Sequence, residues 1–514
     1  MPSLINSTIF EIVKRSEKQN RQHLVASFVE VGALYTVLCT PDNQILYGRR
    51  GTGKTHIFNC ILNEVEQKND IGIYIDMRNI GSNGCLYNDT SITLQERASR
   101  LLRDTYSIIH DRILDFALEQ DDVDLSHIDP ALRDLCSAIH QIQVQGEIDV
   151  SAATTNNHGH EDHGGITLSA TPNWQYGTTE TTQISSQKSI RTKGYESLRI
   201  HIPAISVHIR QLQKLLKNKK LWIFIDEWSE IPIDLQPFLA DLLRRTLFPM
   251  ADVVVKIAAI DRRTNIRIDT GCSYIGIEIG AELSSLNLDE YMVFDNDSTK
   301  AKDFFANLFF NHLKDSLRER GLDILNKAAF IRKTFTQSNA FDELVRAAEG
   351  VPRDAINILM LAAMKADTNK VSIPNIREAA HSWYVRDKEG GVNLNPEANL
   401  LLRYIIDTVI GERKARAFLL SCDTNMPIIE YLYDARVIHL VKTNISAKDS
   451  PGERYNVYAI DYGAYIHLHN TANAVQGELL NDQAQYVEIP MIDYRSIRRS
   501  VLDVSRFRFE IHNH

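Results

Sequence analysis

The chain has 514 residues, a formal net charge of −9, 44% hydrophobic residues and 24% charged ones. It is too long for one ordinary core, so about two to four domains of a soluble globular protein are expected. No run reaches the ~18 uninterrupted apolar residues of a membrane helix, and Met1 to Lys14 lacks a basic region followed by an apolar one, so the cytoplasm is the expected location and no membrane partner is read. Cys39, Cys60, Cys85, Cys136, Cys272 and Cys422 form no CxxC pair. That suits a reducing compartment and argues against a zinc site. The acidic balance disfavours a general nucleic-acid binder, although a local basic patch remains compatible with it.

The first elements are an N-terminal helix with Ile9 and Val13 on one face, then a segment Phe28–Gly32 that in many P-loop proteins lies over the adenine. Gln44–Tyr47 reads as a strand and His56–Leu62 as a helix, and between them stands Gly48-Arg49-Arg50-Gly51-Thr52-Gly53-Lys54-Thr55. Strand, glycine loop, helix is the context of a phosphate-binding loop. Glycines let backbone N–H groups turn inward around a phosphate, and the helix N-terminus adds its dipole. Lys54 is then expected to reach the β- and γ-phosphates of ATP, and the Thr55 hydroxyl to bind Mg²⁺. Ile71–Asp76 is a second strand and Thr93–Glu119 a long helix.

From about Ser151 to Gly194 the chain turns rich in Ser, Thr, Gly, Asn and Gln, an insertion rather than core. Within it His158-Gly159-His160-Glu161-Asp162-His163 could ligate zinc, but no neighbouring rigid element orients the side chains, and a polar loop is the reading. Order resumes with a helix over Val207–Leu216. Leu221–Glu227 is then an apolar strand ending in two acids, as a parallel sheet covered on both faces requires. Asp226 is the expected Mg²⁺ partner and Glu227 the activator of the attacking water. A third apolar strand, Val253–Ile260, ends at Asp261, a candidate contact for the γ-phosphate or the lytic water, with a solvated turn as the competing reading. Another strand is expected over Tyr274–Ile279. Strands alternating with helices after a P-loop predict a three-layer αβα domain.

Helices follow over Ala301–Gly321, Ala340–Glu349 and Arg353–Ala366. Gly350 ends one and Pro352 opens the next, so Arg353 projects from a helix N-terminus, where a cation opposes the dipole and an anion partner would explain it. Lys388–Gly391 reads as a hinge or linker. Beyond it helices at Asn395–Ile410, Glu412–Leu420 and Met426–Asp434, and strands at Val437–Asn444 and Tyr455–Leu468, make a winged helix. Its third helix, Ile428 to Asp434, has no lysine, whereas a helix meant for the major groove offers Arg, Lys, Asn or Gln. Packing against the core or a partner is the plainer reading. Arg495, Arg498, Arg499, Arg506 and Arg508 in the tail could grip phosphates or simply stay solvated.

Taken together, Gly48–Thr55, Ile223–Glu227, Gly350–Arg353 and a terminal winged helix resemble AAA+ ATPases of the origin-recognition initiator type, over roughly Glu30 to Leu468. The resemblance implies a P-loop AAA+ core at 1–292 with the polar insertion at about 151–194, a helical lid at 293–388, a winged helix at 395–470 and a tail at 471–514. It implies ATP hydrolysis with Mg²⁺, with Arg353 as the lid residue that senses the γ-phosphate and Asp261 at the polar end of the strand after Asp226. It also implies an arginine finger from a neighbouring subunit, for which Arg244, Arg245, Arg262 and Arg263 are equal candidates. The long insertion and the non-basic third helix depart from initiators and look more like bacterial relatives, many of them found beside DNA-modification or antiphage defence genes. The expected partners are ATP or ADP and a second copy or another protein, with DNA less well supported. A signal-transduction ATPase and a non-hydrolysing ATP-dependent scaffold or DNA-binding regulator are the alternatives.

Overall fold

The structure, a computed structural model, describes residues 3–13, 21–30, 32–80, 87–120, 125–140, 142–145, 148–149, 191–192, 195–198, 202–217, 219–271, 273–289, 298–322, 324–412, 415–424, 426–446, 453–466, 501–503 and 507. The His158–His163 cluster and the tail arginines lie outside them.

The first helix, α1 (Leu4–Ile9), is capped by Ser3. Asn6 donates from Nδ2 to the carbonyls of Asp367 and Asn369, at 2.6 and 3.0 Å, which ties the chain's start to the helices that follow the core. The core then runs β1 (Gln44–Tyr47), α2 (Lys54–Gln67), β2 (Ile71–Asp76), α3 (Leu94–Glu119) and α4 (Leu125–Ile139). The insertion leaves and returns as an antiparallel ribbon, β3 (Ile142–Gln145) on β4 (Tyr195–Leu198). Next come α5 (Ile202–Leu215), β5 (Leu221–Asp226), α6 (Gln236–Thr246), β6 (Val253–Ala259) and β7 (Ser284–Asn287).

The five core strands form one parallel sheet in the order β7-β1-β6-β5-β2. Side chains alternate across a strand, so both sheet faces need cover. Ile45, Ile223, Ile225, Val255 and Ile257 enter the apolar layer under α3 to α6. Leu46, Trp222, Phe224, Val254 and Ala258 enter the opposite layer with Phe58 and Ile61 of α2. The expected strand at Tyr274–Ile279 is not part of this sheet. Ser273–Gly276 instead pairs antiparallel with Arg267–Thr270 as a mostly exposed hairpin, and β7 supplies the fifth strand. Gly276 explains the excursion: its φ of +117° turns the chain, and a Cβ there would lie 1.9 Å from the Ile266 carbonyl oxygen.

The lid contains α7 (Ser298–Glu319), α8 (Ser338–Ala347), α9 (Pro352–Ala366) and α10 (Ile373–Trp383). The stretch expected as a hinge is helical. From Trp383 the chain continues through a π-helical turn, Tyr384–Glu389, into Gly390–Val392 without leaving helical backbone. A π turn keeps the backbone bonded, and Lys388, held by two carboxylates, sits inside the fold rather than on a linker. The terminal unit is α11 (Pro396–Ile405), β8 (Ala417–Ser421), α12 (Pro427–Asp434), β9 (Ile438–Ser446), β10 (Arg454–Ile460) and a short α13 (Tyr462–Tyr465). The helix expected at Glu412–Leu420 is the strand β8, because Phe418 and Leu420 point into one apolar cluster and Ala417 and Leu419 into another, a period of two. The sheet is antiparallel in the order β8-β10-β9, so the fold is a winged helix with a strand between its helices. Strand β10 stops earlier than expected, where Asp461 caps α13 by accepting from Gly463 N.

One apolar cluster runs unbroken from Ile9 through Phe309, Leu344 and Leu359 of the lid to Leu401, Leu432, Ile460 and Tyr462 of the winged helix. Leu502 and Phe507 from the chain's end join it, and Leu502 N bonds Leu419 O at 2.9 Å. Lid and winged helix therefore share a core.

Candidate nucleotide site

The loop between β1 and α2 sits where two helix N-termini meet. Gly53, with φ +100°, caps α2, and Gly51, with φ +89°, carries the chain against the first turn of α9. The Arg353 amide donates to Gly51 O at 3.2 Å, and a Cβ on Gly51 would lie 2.8 Å from Arg353 Cβ. Both helix dipoles favour negative charge at this point. Lys54 is buried and donates from Nζ to the carbonyls of Gly48 and Arg49, at 2.7 and 3.1 Å. Among the described residues no carboxylate forms an ion pair with it, and burial holds its ammonium below the usual range. A buried cation whose hydrogen bonds go only to carbonyls is a cradle for an anion, which fits the phosphates of ATP.

Strand β5 delivers the acids. Asp226 is fully buried and accepts at Oδ2 from Thr55 Oγ1 at 2.7 Å and from Tyr74 OH at 2.7 Å, while Oδ1 accepts from Glu227 N at 2.8 Å. No group of three or more His, Cys, Asp or Glu able to hold a metal ion by itself stands here or elsewhere among the described residues. Magnesium is commonly held by one or two protein oxygens together with phosphates and water, so a threonine hydroxyl beside one carboxylate fits it. Glu227 has φ 54° and ψ 39°, a left-handed conformation of the kind that collects at functional sites. Burial, then the neighbouring Asp226, raise its carboxyl above the ordinary range. Asp261 opens the turn after β6, at the same sheet edge, and is exposed.

Two arginines of the loop part company. Arg50 reaches Glu230 at 2.5 Å on the surface. Arg49 is 2% exposed, and its backbone N and Nε bond the two oxygens of Asp289 at 3.0 and 2.9 Å. Its remaining donors reach Glu349 O of the lid at 2.8 Å and His439 Nδ1 of the winged helix. Arginine only donates, so Nδ1 accepts and the imidazole proton sits on Nε2, which bonds Asp461 Oδ2 at 2.8 Å. Asp461 also pairs with Lys388, which reaches Asp354 at 3.0 Å, and Asp354 pairs with Arg436. Burial opposes the charge on Asp461, yet Lys388 and His439 outweigh it and hold the carboxyl at about 2.

Helix α12, expected as the third of the winged helix, faces the core. Tyr433 OH donates to Asp289 at 3.3 Å, Asp434 pairs with Arg263, and Glu430 lies 3.8 Å from Arg262. Arg244 and Arg245 share Asp241. All four finger candidates thus meet acids of their own chain. Tyr74, Asp289 and His439 carry no motif; only the strand register brings Tyr74 to Asp226, and only the tertiary fold brings Asp289 and His439 to Arg49.

A parallel β7-β1-β6-β5-β2 sheet with a P-loop after β1, a helical lid and a winged helix define a P-loop protein of the AAA+ class. The family model for ORC-CDC6-like proteins matches residues 12–340, more than half of the chain, which belongs to that family. No curated protein matches it. Among solved structures, Cdc6p of Pyrobaculum aerophilum is 10% identical with a TM-score of 0.34, over 91% of this chain and 97% of that one. The Aeropyrum pernix Orc1 protein in complex with DNA is 14% identical with a TM-score of 0.31, over 90% and 96%. Drosophila ORC bound to DNA is 11% identical with a TM-score of 0.30, over 89% and 93%. At those scores the family match carries the assignment.

Proposed function

We propose that the protein is an ATP-binding, ATP-hydrolysing AAA+ switch whose nucleotide state controls its oligomerisation or its hold on a DNA or protein partner. The observation that carries this is Arg49. It starts in the phosphate loop and ends on a lid carbonyl and a winged-helix histidine, so any shift of the loop must disturb both. Bound ATP supplies the phosphoanhydride to be cleaved, with its Mg²⁺ neutralising phosphate charge. Gly48, Arg49, Arg50, Gly51, Thr52, Gly53, Lys54 and Thr55 form the phosphate cradle, Thr55 and Asp226 hold the metal, and Glu227 takes a proton from the attacking water. Arg353 reads the γ-phosphate from α9, and Asp261 lies at the sheet edge where that water would be positioned. A bacterial antiphage setting is the biological context the departures from initiators favour.

Binding and single-turnover assays test the chemistry. Glu227→Gln should keep ATP binding and lose phosphate release, and Lys54→Ala should lose binding. Equal release by wild type and Glu227→Gln removes the water-activating role. Solution mass with and without ATP tests the oligomer arm, and an unchanged mass refutes it. Salt-dependent binding to duplex DNA tests the other partner class. Because α12 is packed on the core, no binding at low salt, with or without ATP, makes the winged helix a protein-interaction module.

A further inference from the structure

Tyr74 is a residue that no motif assigns and that touches the metal half of the proposed site. It lies on β2, whose register on β5 sets Tyr74 beside Phe224 and Asp76 beside Asp226. From there its hydroxyl reaches diagonally to Asp226 Oδ2, the oxygen that also accepts from Thr55. With Glu227 N on Oδ1, this fully buried carboxylate accepts three hydrogen bonds from described residues, two of them from hydroxyls on Oδ2. Carboxylate rotation about the Cβ–Cγ bond is soft, so its orientation depends on such donors. The ring is partly buried in the apolar layer with Phe224 and Trp222, which holds the hydroxyl in place.

We infer that Tyr74 is a positioning residue for the divalent cation: its hydroxyl orients Asp226 so that Asp226 accepts the hydrogen bond of the Thr55 hydroxyl, whose oxygen would then be available to Mg²⁺. The inference rests on the nucleotide reading above. Residues that orient metal ligands typically change metal affinity by 10–100-fold when removed. Tyr74→Phe deletes one oxygen and keeps the ring, so packing is retained.

The test is a Mg²⁺ titration of binding of a fluorescent ATP analogue to the full chain, wild type against Tyr74→Phe, with a parallel measurement in EDTA. Tyr74→Phe should need roughly tenfold more Mg²⁺ for half-maximal enhancement, with unchanged affinity in EDTA. An identical Mg²⁺ requirement overturns the inference. Affinity loss of equal size with and without Mg²⁺, together with a lower melting temperature, assigns Tyr74 to packing and also overturns it. A wild type that binds no analogue at all defeats the nucleotide reading, and this inference with it. Tyr74→Leu, which removes ring and hydroxyl together, should match Tyr74→Phe in Mg²⁺ requirement while losing stability. A Mg²⁺ requirement that follows stability instead would count against the hydroxyl.

Discussion

At the scale of single residues, the loop depends on Gly51 for two separate reasons. Its φ of +89° is one an alanine adopts only with strain, and the space a Cβ needs is taken by Arg353. Gly51→Ala should therefore push α9 away from the loop and weaken ATP binding by at least about tenfold, a loss on the order of 1.4 kcal/mol; calorimetric titration would measure it. Glu227 gives a second residue-scale prediction. Its carboxyl is raised above the ordinary 4.5, so turnover should fall as the pH drops through a value above 4.5 and the base becomes protonated. An acid limb at or below 4.5 in the pH profile of kcat would separate Glu227 from the proton transfer.

Among elements, the joint between α10 and the winged helix behaves unlike the linker its Gly-Gly pair suggests. Lys388 at the π turn is the only cation bonded to both Asp354 and Asp461 among the described residues, and all three are buried. Replacing it with methionine would leave two buried carboxylates short of charge, with Arg436 still on Asp354 and His439 on Asp461. Breaking such a buried set from one side costs about 3–5 kcal/mol. Urea unfolding of Lys388→Met should show a loss of that order, and adding Asp461→Asn should recover part of it. The same network makes the junction acid-sensitive. Burial holds His439 at about 4, below the ordinary 6.5, so between those values the unfolded chain binds more protons and stability falls as the pH is lowered. Asp461 adds a further loss as the pH falls from 3.8 towards 2. Protonating His439 at Nδ1 also breaks its bond from Arg49. His439→Gln should flatten the stability curve between pH 6.5 and 4, which thermal melts across that range would show.

For the whole molecule, the partition of apolar and polar contacts decides what can move. The shared core means that cutting the chain after Val392 would remove α13 from lid helices α8 and α10 and uncover buried side chains on that face. Each such side chain is worth about 1.5–3 kcal/mol when buried, so the fragment should aggregate or unfold rather than survive as a core-plus-lid ATPase; expression with light scattering checks this. The junction to the αβα core is rich in ion pairs and hydrogen bonds instead: Arg49 with Asp289 and His439, Arg263 with Asp434, Arg262 with Glu430. Polar interfaces of that kind are where bodies rotate. Fluorescent labels on α8 and α13 should keep their separation when ATP is added, while a pair on α3 and α13 should change. A change of equal size in both pairs would refute the lid and winged helix as one moving body.

The amino-acid sequence by itself placed the phosphate loop, the three apolar strands Ile71–Asp76, Leu221–Asp226 and Val253–Ala259, and the helices on either side of Gly350, because these depend on local patterns: glycine spacing, unbroken apolar runs and helix start signals. It also set Asp226 at a strand end, which a parallel sheet brings beside Thr55. It failed where a short stretch takes its structure from distant partners. Ala417–Ser421 is a strand because β10 pairs with it, Lys388–Gly391 is helical because Asp354 and Asp461 hold Lys388, and Ser284–Asn287 is the edge strand because β1 accepts it. Tyr74 reaches Asp226 across 152 residues, and Asp289 and His439 reach Arg49 across 240 and 390, through bonds that have no sequence spacing. Only the tertiary structure decided that the phosphate loop is wired through Arg49 to the winged helix, because a buried guanidinium must find all of its acceptors in three dimensions.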